Sequence, residues 1–126
     1  MKKLTVLITL LAVLAFASVC DARPHFKMGK PFNITCVSGQ LSFKTTITND
    51  GDEDGTVTGI TLDEVSLYCD GDLWWKGFDR NLGDMAYYVP AGGSKTIRVN
   101  LRSKDIDGFD GSKYVKFRYR IHWGRG

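Results

Sequence analysis

The feature that most constrains this chain is a two-residue alternation of apolar and polar side chains, cut into lengths by turn sequences. Phe32, Ile34 and Cys36 alternate with Asn33, Thr35 and Val37, and Leu41, Phe43, Thr45 and Ile47 alternate with Ser42, Lys44, Thr46 and Thr48. The pattern returns at Val65–Cys69, Ile97–Leu101 and Val115–Trp123. A period of two sends successive side chains to opposite faces, so each run describes a strand with one buried face. Ser38-Gly39, Asn49 to Gly55, Asp70-Gly71, Pro90 to Gly93 and Gly108 to Gly111 separate the runs. Asp70-Gly71 reads as a tight hairpin, because both central positions of a type I′ turn require positive φ. No stretch carries a helical apolar face. The expectation is an all-β, antiparallel sandwich of about seven strands, formed as one domain over residues 32–124.

The chain opens differently. Met1-Lys2-Lys3 is followed by an apolar run from Leu4 to Ala17. That is the layout of a secretory signal peptide and is shorter than the roughly 20 apolar residues of a bilayer span. Small residues allow cleavage after Ala17 or after Ala22, and Cys20 offers a lipidation alternative that its preceding Val19 suits poorly. Cleavage after Ala22 leaves Cys36 and Cys69 as an even pair, so residues 1–22 are assigned as the leader. The expected location is secreted, periplasmic or at the cell surface. Residues 23–31, interrupted by Pro24, Gly29 and Pro31, read as an irregular arm. Cys36 and Cys69 both fall on the apolar phase of their strands, which in an exported domain predicts one buried disulfide. Asn33-Ile34-Thr35 is a glycosylation sequon.

Residues 40–102 resemble a family layout. Leu41–Asn49, an acidic Gly-rich turn, Ile60–Gly71 and Val89-Pro-Ala-Gly-Gly-Ser-Lys-Thr-Ile-Arg-Val99 are similar to immunoglobulin-like and fibronectin-III-like sandwiches, in particular the cell-adhesion-related bacterial module and the water-stress domain. The Cys…Trp…Cys spacing of antibody domains is missing, and Asp50 stands where the stress domain has Pro. The resemblance implies architecture and a role in binding, spacing or adhesion, since fold does not fix function.

Three groups of residues carry candidate chemistry. Lys116, Arg118, Arg120 and His122 share one phase of the last strand, and Arg98 and Arg102 share one phase of the strand before it. Were those strands neighbours, they would form one basic face suited to an anionic polysaccharide, a membrane surface or an acidic protein partner. The second group is aromatic: Trp74 or Trp75, with Tyr87 and Tyr88, could stack on a sugar or anchor an interface. The third is Asp50-Gly-Asp52-Glu-Asp54-Gly55, which matches the first half of a calcium loop but has Thr61 where a bidentate Glu would stand. Asp105, Asp107 and Asp110 make a second acidic turn.

Other classes fit poorly. Counted after Ala22, fifteen Lys and Arg against thirteen Asp and Glu leave a net charge of +2, too mild to imply a nucleic-acid partner by itself. The two histidines, His25 and His122, stand far apart in sequence, and no nucleophile elbow, zinc-protease motif or phosphate loop is present. The resulting expectation is a secreted, non-catalytic binding module that needs no cofactor. Its alternatives are a calcium-stabilised adhesion module and a structural or stress-protective exported protein.

Overall fold

The computed structural model describes residues 23–125. The assigned leader, residues 1–22, lies outside them. Seven strands follow one another: β1 Phe26–Met28, β2 Phe32–Val37, β3 Gln40–Asn49, β4 Gly55–Cys69, β5 Asp72–Val89, β6 Ser94–Arg102 and β7 Lys113–Arg125. They form two antiparallel sheets. In the first, β3 is central, β6 pairs along one side, and β1 and β2 lie end to end along the other. In the second, β4 is central between β5 and β7.

The arm expected over residues 23–31 is thus only partly irregular. Phe26, Lys27 and Met28 pair with Asn49, Thr48 and Ile47, and Phe26 and Met28 join the core. Three residues were too few to show an alternation, but Phe26 and Met28 have the right spacing to bury one face together. Gly29 to Pro31 then interrupts the edge, and β2 resumes on the same side of β3.

Turn chemistry behaves as read. Cys69 pairs with Asp72, and Asp70 and Gly71 between them have φ of 51° and 87°, the two positive values a type I′ hairpin requires. The core fills the space between the sheets. Leu41, Phe43, Ile47, Ile97, Val99 and Leu101 meet Val57, Ile60, Leu62, Val65, Leu67 and Val115, and Phe43 stacks on Phe117 at 5.8 Å. Trp75 packs against Gly77, where a Cβ would come within 2.5 Å of the indole, so the ring's place depends on the missing side chain.

The expected Cys36–Cys69 disulfide is not formed. Both are buried free thiols, and the Cys36 thiol donates to the Asp107 carbonyl at 3.0 Å. Burial is the main cause that pushes both thiols up from their ordinary value, and at Cys69 the charge of Cys36 adds to the rise. The phase reading was sound, since both side chains point into the core, but period alone does not fix a bond.

One polar residue ties the two sheets together. Asn49 is fully buried at the end of β3. Its Nδ2 donates to the carbonyls of Val89 at 3.0 Å and Glu53 at 2.8 Å, and its Oδ1 accepts from the backbone N–H groups of His25 and Gly51, each at 3.0 Å. The segment entering β1, β3, β5 and the acidic turn therefore meet on a single carboxamide whose hydrogen-bonding capacity is filled.

Candidate cationic and aromatic face

The basic residues do not form one patch. β7 pairs with β4, and β6 pairs with β3 in the other sheet. Lys116, Arg118 and Arg120 consequently stand on the outer face of the second sheet, while Arg98 and Arg102 stand on the outer face of the first, on the opposite side of the molecule. The alternation gave the face of each strand correctly and left its neighbour undetermined.

On the second sheet the cations have company. β4 brings Glu64, Ser66 and Tyr68 opposite Arg118, Lys116 and Tyr114 of β7, and Glu64 and Ser66 opposite Phe78 and Lys76 of β5. Glu64 accepts from Lys76 Nζ at 2.7 Å and from Arg118 at 2.7 Å, and these two hydrogen bonds, that from Lys76 foremost, hold its carboxyl below the ordinary value. Arg120 Nε donates to Asp63 at 2.8 Å. Lys116 has no ion pair among the described residues and lies 6.0 Å from the centre of the Tyr114 ring, which itself packs against Tyr68 at 6.1 Å. Lys76 lies over the Phe78 ring at 5.6 Å. Phe78 and Tyr114 are exposed by 56% and 51%, which leaves ring surface for a ligand.

This surface is not flat. A depression of about 490 Å³ is lined by Glu64, Ser66, Tyr68, Lys76, Tyr114 and Lys116, and extends around β7 to Met28–Pro31. A second of about 300 Å³ continues it over Tyr68, Tyr114 and Lys116 toward Gly71 and Ser112. Lys76 and Tyr114 were not singled out in the sequence. Tyr114 could have been, because it stands two residues before Lys116 and shares its phase.

The aromatic group first named is dispersed. Trp75 is buried in the core, with the Arg80 guanidinium 5.5 Å from its ring. Trp74 is partly exposed but committed: it packs on Phe109 at 5.1 Å and donates its indole N–H to the Asp107 carbonyl at 2.9 Å. Tyr87 is half-buried beneath Lys95, 5.3 Å away. Tyr88 is exposed and donates its hydroxyl to Asp54 at 2.7 Å, which raises the phenol's pKa.

The acidic turn also spends its groups elsewhere. Asp50 pairs with Lys27 at 2.7 Å and contacts His25, and these partners, Lys27 first, lower its pKa. Asp54 accepts from the Ala91 N–H at 2.9 Å and from Tyr88, and its pKa is lowered by those two bonds in that order. Asp52 contributes a backbone N–H to the Arg23 carbonyl at 3.2 Å. Among the described residues no group of three or more His, Cys, Asp or Glu side chains converges for a metal, and this includes Asp50, Asp52, Asp54 and the Asp105–Asp110 turn. The Asp-x-Asp-x-Asp spacing here serves cross-strand anchoring, with Asp50 tied to β1 and Asp54 to the turn between β5 and β6.

No known protein family matches the chain, and no curated protein does. Among solved structures it is similar to a β-glucosidase from Kluyveromyces marxianus in complex with glucose, at TM-score 0.43 and 12% identity, over 80% of this chain and 15% of that one. The chain thus spans about 15% of that enzyme's length. It is also similar to the CARDB domain of the PF1109 protein from Pyrococcus furiosus, in complex with di-metal ions, at TM-score 0.32 and 11% identity, over 78% of this chain and 87% of that one.

Proposed function

We propose that this protein is an exported, non-catalytic binding module that holds an anionic polysaccharide on the outer face of the second sheet. The observation that carries this reading is the depression where Lys76, Lys116 and Arg118 adjoin the rings of Tyr68 and Tyr114. A sugar ring offers C–H surface to an aromatic face and its acidic substituents to ammonium and guanidinium groups. Glu64 keeps Lys76 and Arg118 extended along the sheet, at the cost of neutralising part of their charge. In this reading the fold is an immunoglobulin-like sandwich, with β4, β5 and β7 as the working sheet. Export would also bring Cys36 and Cys69 into an oxidising compartment, where a bridge between these two buried thiols is the expected product. Comparison of reduced and non-reduced masses after alkylation reads this directly.

Retention of the purified protein on a sulfated polysaccharide, a uronate polysaccharide and a neutral glucan tests the binding reading. Retention on the anionic matrices that is lost at about 1 M salt, where the screening length is only about 3 Å, supports it. Equal retention on the neutral glucan, or none on any matrix, contradicts it.

A further inference from the structure

The sandwich exposes strand edges, and three of them are spoiled for pairing. The β1–β2 edge is broken by Gly29–Pro31 and by a register shift between Phe32 and Thr35, where Asn33 has a φ of 51°. β5 carries Asp79 and Gly83 with φ of 51° and 88° in mid-strand. β7 has Met28–Pro31 packed beside it, and the Met28 N–H donates to the Tyr119 hydroxyl at 3.0 Å. Interruptions, bulges and covering segments of this kind are how natural sheets avoid unwanted strand addition.

β6 has none of them. Its register with β3 runs without a shift from Thr48↔Ser94 to Gln40↔Arg102, and among the described residues no strand pairs with its other side. Two bonds beyond its ends set the phase of the ladder: Asn49 N–H to the Gly93 carbonyl at 3.0 Å, and Ser103 N–H to the Gly39 carbonyl at 3.1 Å. Antiparallel residues alternate in the direction of their backbone groups. Lys95, Ile97, Val99 and Leu101 therefore face β3, and Ser94, Thr96, Arg98, Asn100 and Arg102 turn their N–H and C=O groups to the open side.

Beside that open edge lies a groove of about 460 Å³ between β6 and β5, with half-buried Leu82, Met85 and Tyr87 on its β5 wall. Asp79 and Arg80 line the same groove, and among the described residues the buried Arg80 Nε has no hydrogen-bond partner. β6 holds Lys95, Arg98 and Arg102 and no acidic residue, and Arg98 and Arg102 make no ion pair among the described residues.

We propose that β6 accepts an extended acidic segment of another protein as an added strand of the first sheet. Backbone bonds to Thr96, Arg98 and Asn100 supply the pairing. Carboxylates on one row of the incoming strand meet Arg98 and Arg102 on the outer face, and apolar side chains on the other row enter the groove over Leu82 and Met85. A second copy of this chain is the poorer occupant, because two-fold pairing of β6 with itself brings cation-bearing strands together with no acid between them. This surface is separate from the polysaccharide face, and either can fail alone.

The test uses a capped peptide of about seven alternating Glu and Val residues, long enough at about 3.3 Å per residue to span Thr96–Arg102. Its binding is followed by amide shifts of the labelled protein. The expected result is saturable perturbation along Thr96–Arg102. Thr96→Pro, which removes an N–H that β3 does not use, and Arg98→Glu with Arg102→Glu, which keeps the backbone, should each weaken binding by about tenfold or more. Lys76→Glu with Lys116→Glu should leave it within about twofold. Equal binding of a Lys–Val peptide, loss of binding in the Lys76/Lys116 variant, an unaffected Thr96→Pro variant, or dimerisation through β6 would each overturn the proposal.

Discussion

The two outer faces of this sandwich carry basic residues in the same alternating pattern and differ in everything around them. On the second sheet the central strand supplies Glu64 and Asp63, so Arg118, Arg120 and Lys76 are drawn into ion pairs, with Lys116 left over a tyrosine. On the first sheet the central strand supplies hydroxyls and one further cation, Lys44, and no carboxylate. Thr46 meets Thr96 at 3.2 Å, Thr48 meets Ser94 at 3.1 Å, and Ser42 donates to Asn100 at 2.6 Å. Arg98 stands opposite Lys44 and Arg102 opposite Gln40, beside an open edge. The comparison teaches that a basic strand becomes a face or an edge according to the strand beside it. A carboxylate at the centre organises cations over a surface, and a central strand without one leaves them at the margin.

The largest effect should come from the element both sheets share. Asn49→Leu removes four hydrogen bonds and strands the backbone groups they served, so it should destabilise the protein by about 3 kcal/mol, read as a shift in the urea midpoint. The acidic turn should loosen with it. Calcium should not restore the midpoint if that turn is a structural anchor, and restoration by calcium would return Asp50, Asp52 and Asp54 to a metal role.

A smaller effect separates the faces directly. Lys76→Glu with Lys116→Glu should weaken binding of a sulfated polysaccharide by about tenfold or more, whereas Arg98→Glu with Arg102→Glu should change it by no more than about twofold, measured by titration at low salt. Equal losses in both variants would erase the distinction between the two sheets.

The smallest effect concerns Glu64. Its folded pKa lies below the ordinary 4.5, so its stabilising contribution is complete above that value and is lost as pH falls through the lower folded value. The same protonation frees Lys76 and Arg118. Binding of a sulfated probe, whose charge persists in acid, should therefore strengthen modestly over that window. Glu64→Gln should abolish the pH dependence and hold the stronger binding throughout.

Much of the architecture was legible because alternation and turn chemistry are local. The runs at Leu41–Ile47, Ile97–Leu101 and Val115–Ile121 gave strands with the correct inward residues, whereas Trp123 at the end of the last run is 39% exposed, and Asp70-Gly71 gave its hairpin. Phe26–Met28 was too short for a period to appear. The middle of β5 was obscured because Asp79 and Gly83 break its phase. The site was less legible, because it depends on which strands are neighbours. Lys116, Arg118 and Arg120 were found by phase, yet their real companions are Tyr68, Lys76 and Tyr114, supplied through β4 pairing. Arg98 and Arg102 were assigned to a patch they do not share. Trp75 was a candidate contact by residue type, and only the packing over Gly77 shows that it belongs to the core.

The most direct measurement is a map of backbone amide shifts in the labelled protein as a sulfated oligosaccharide is added at low salt. The account predicts perturbations clustered at Ser66, Tyr68, Lys76, Tyr114 and Lys116, with Thr96–Arg102 unmoved. Shifts confined to β6, spread evenly over both sheets, or absent at saturating probe would contradict it.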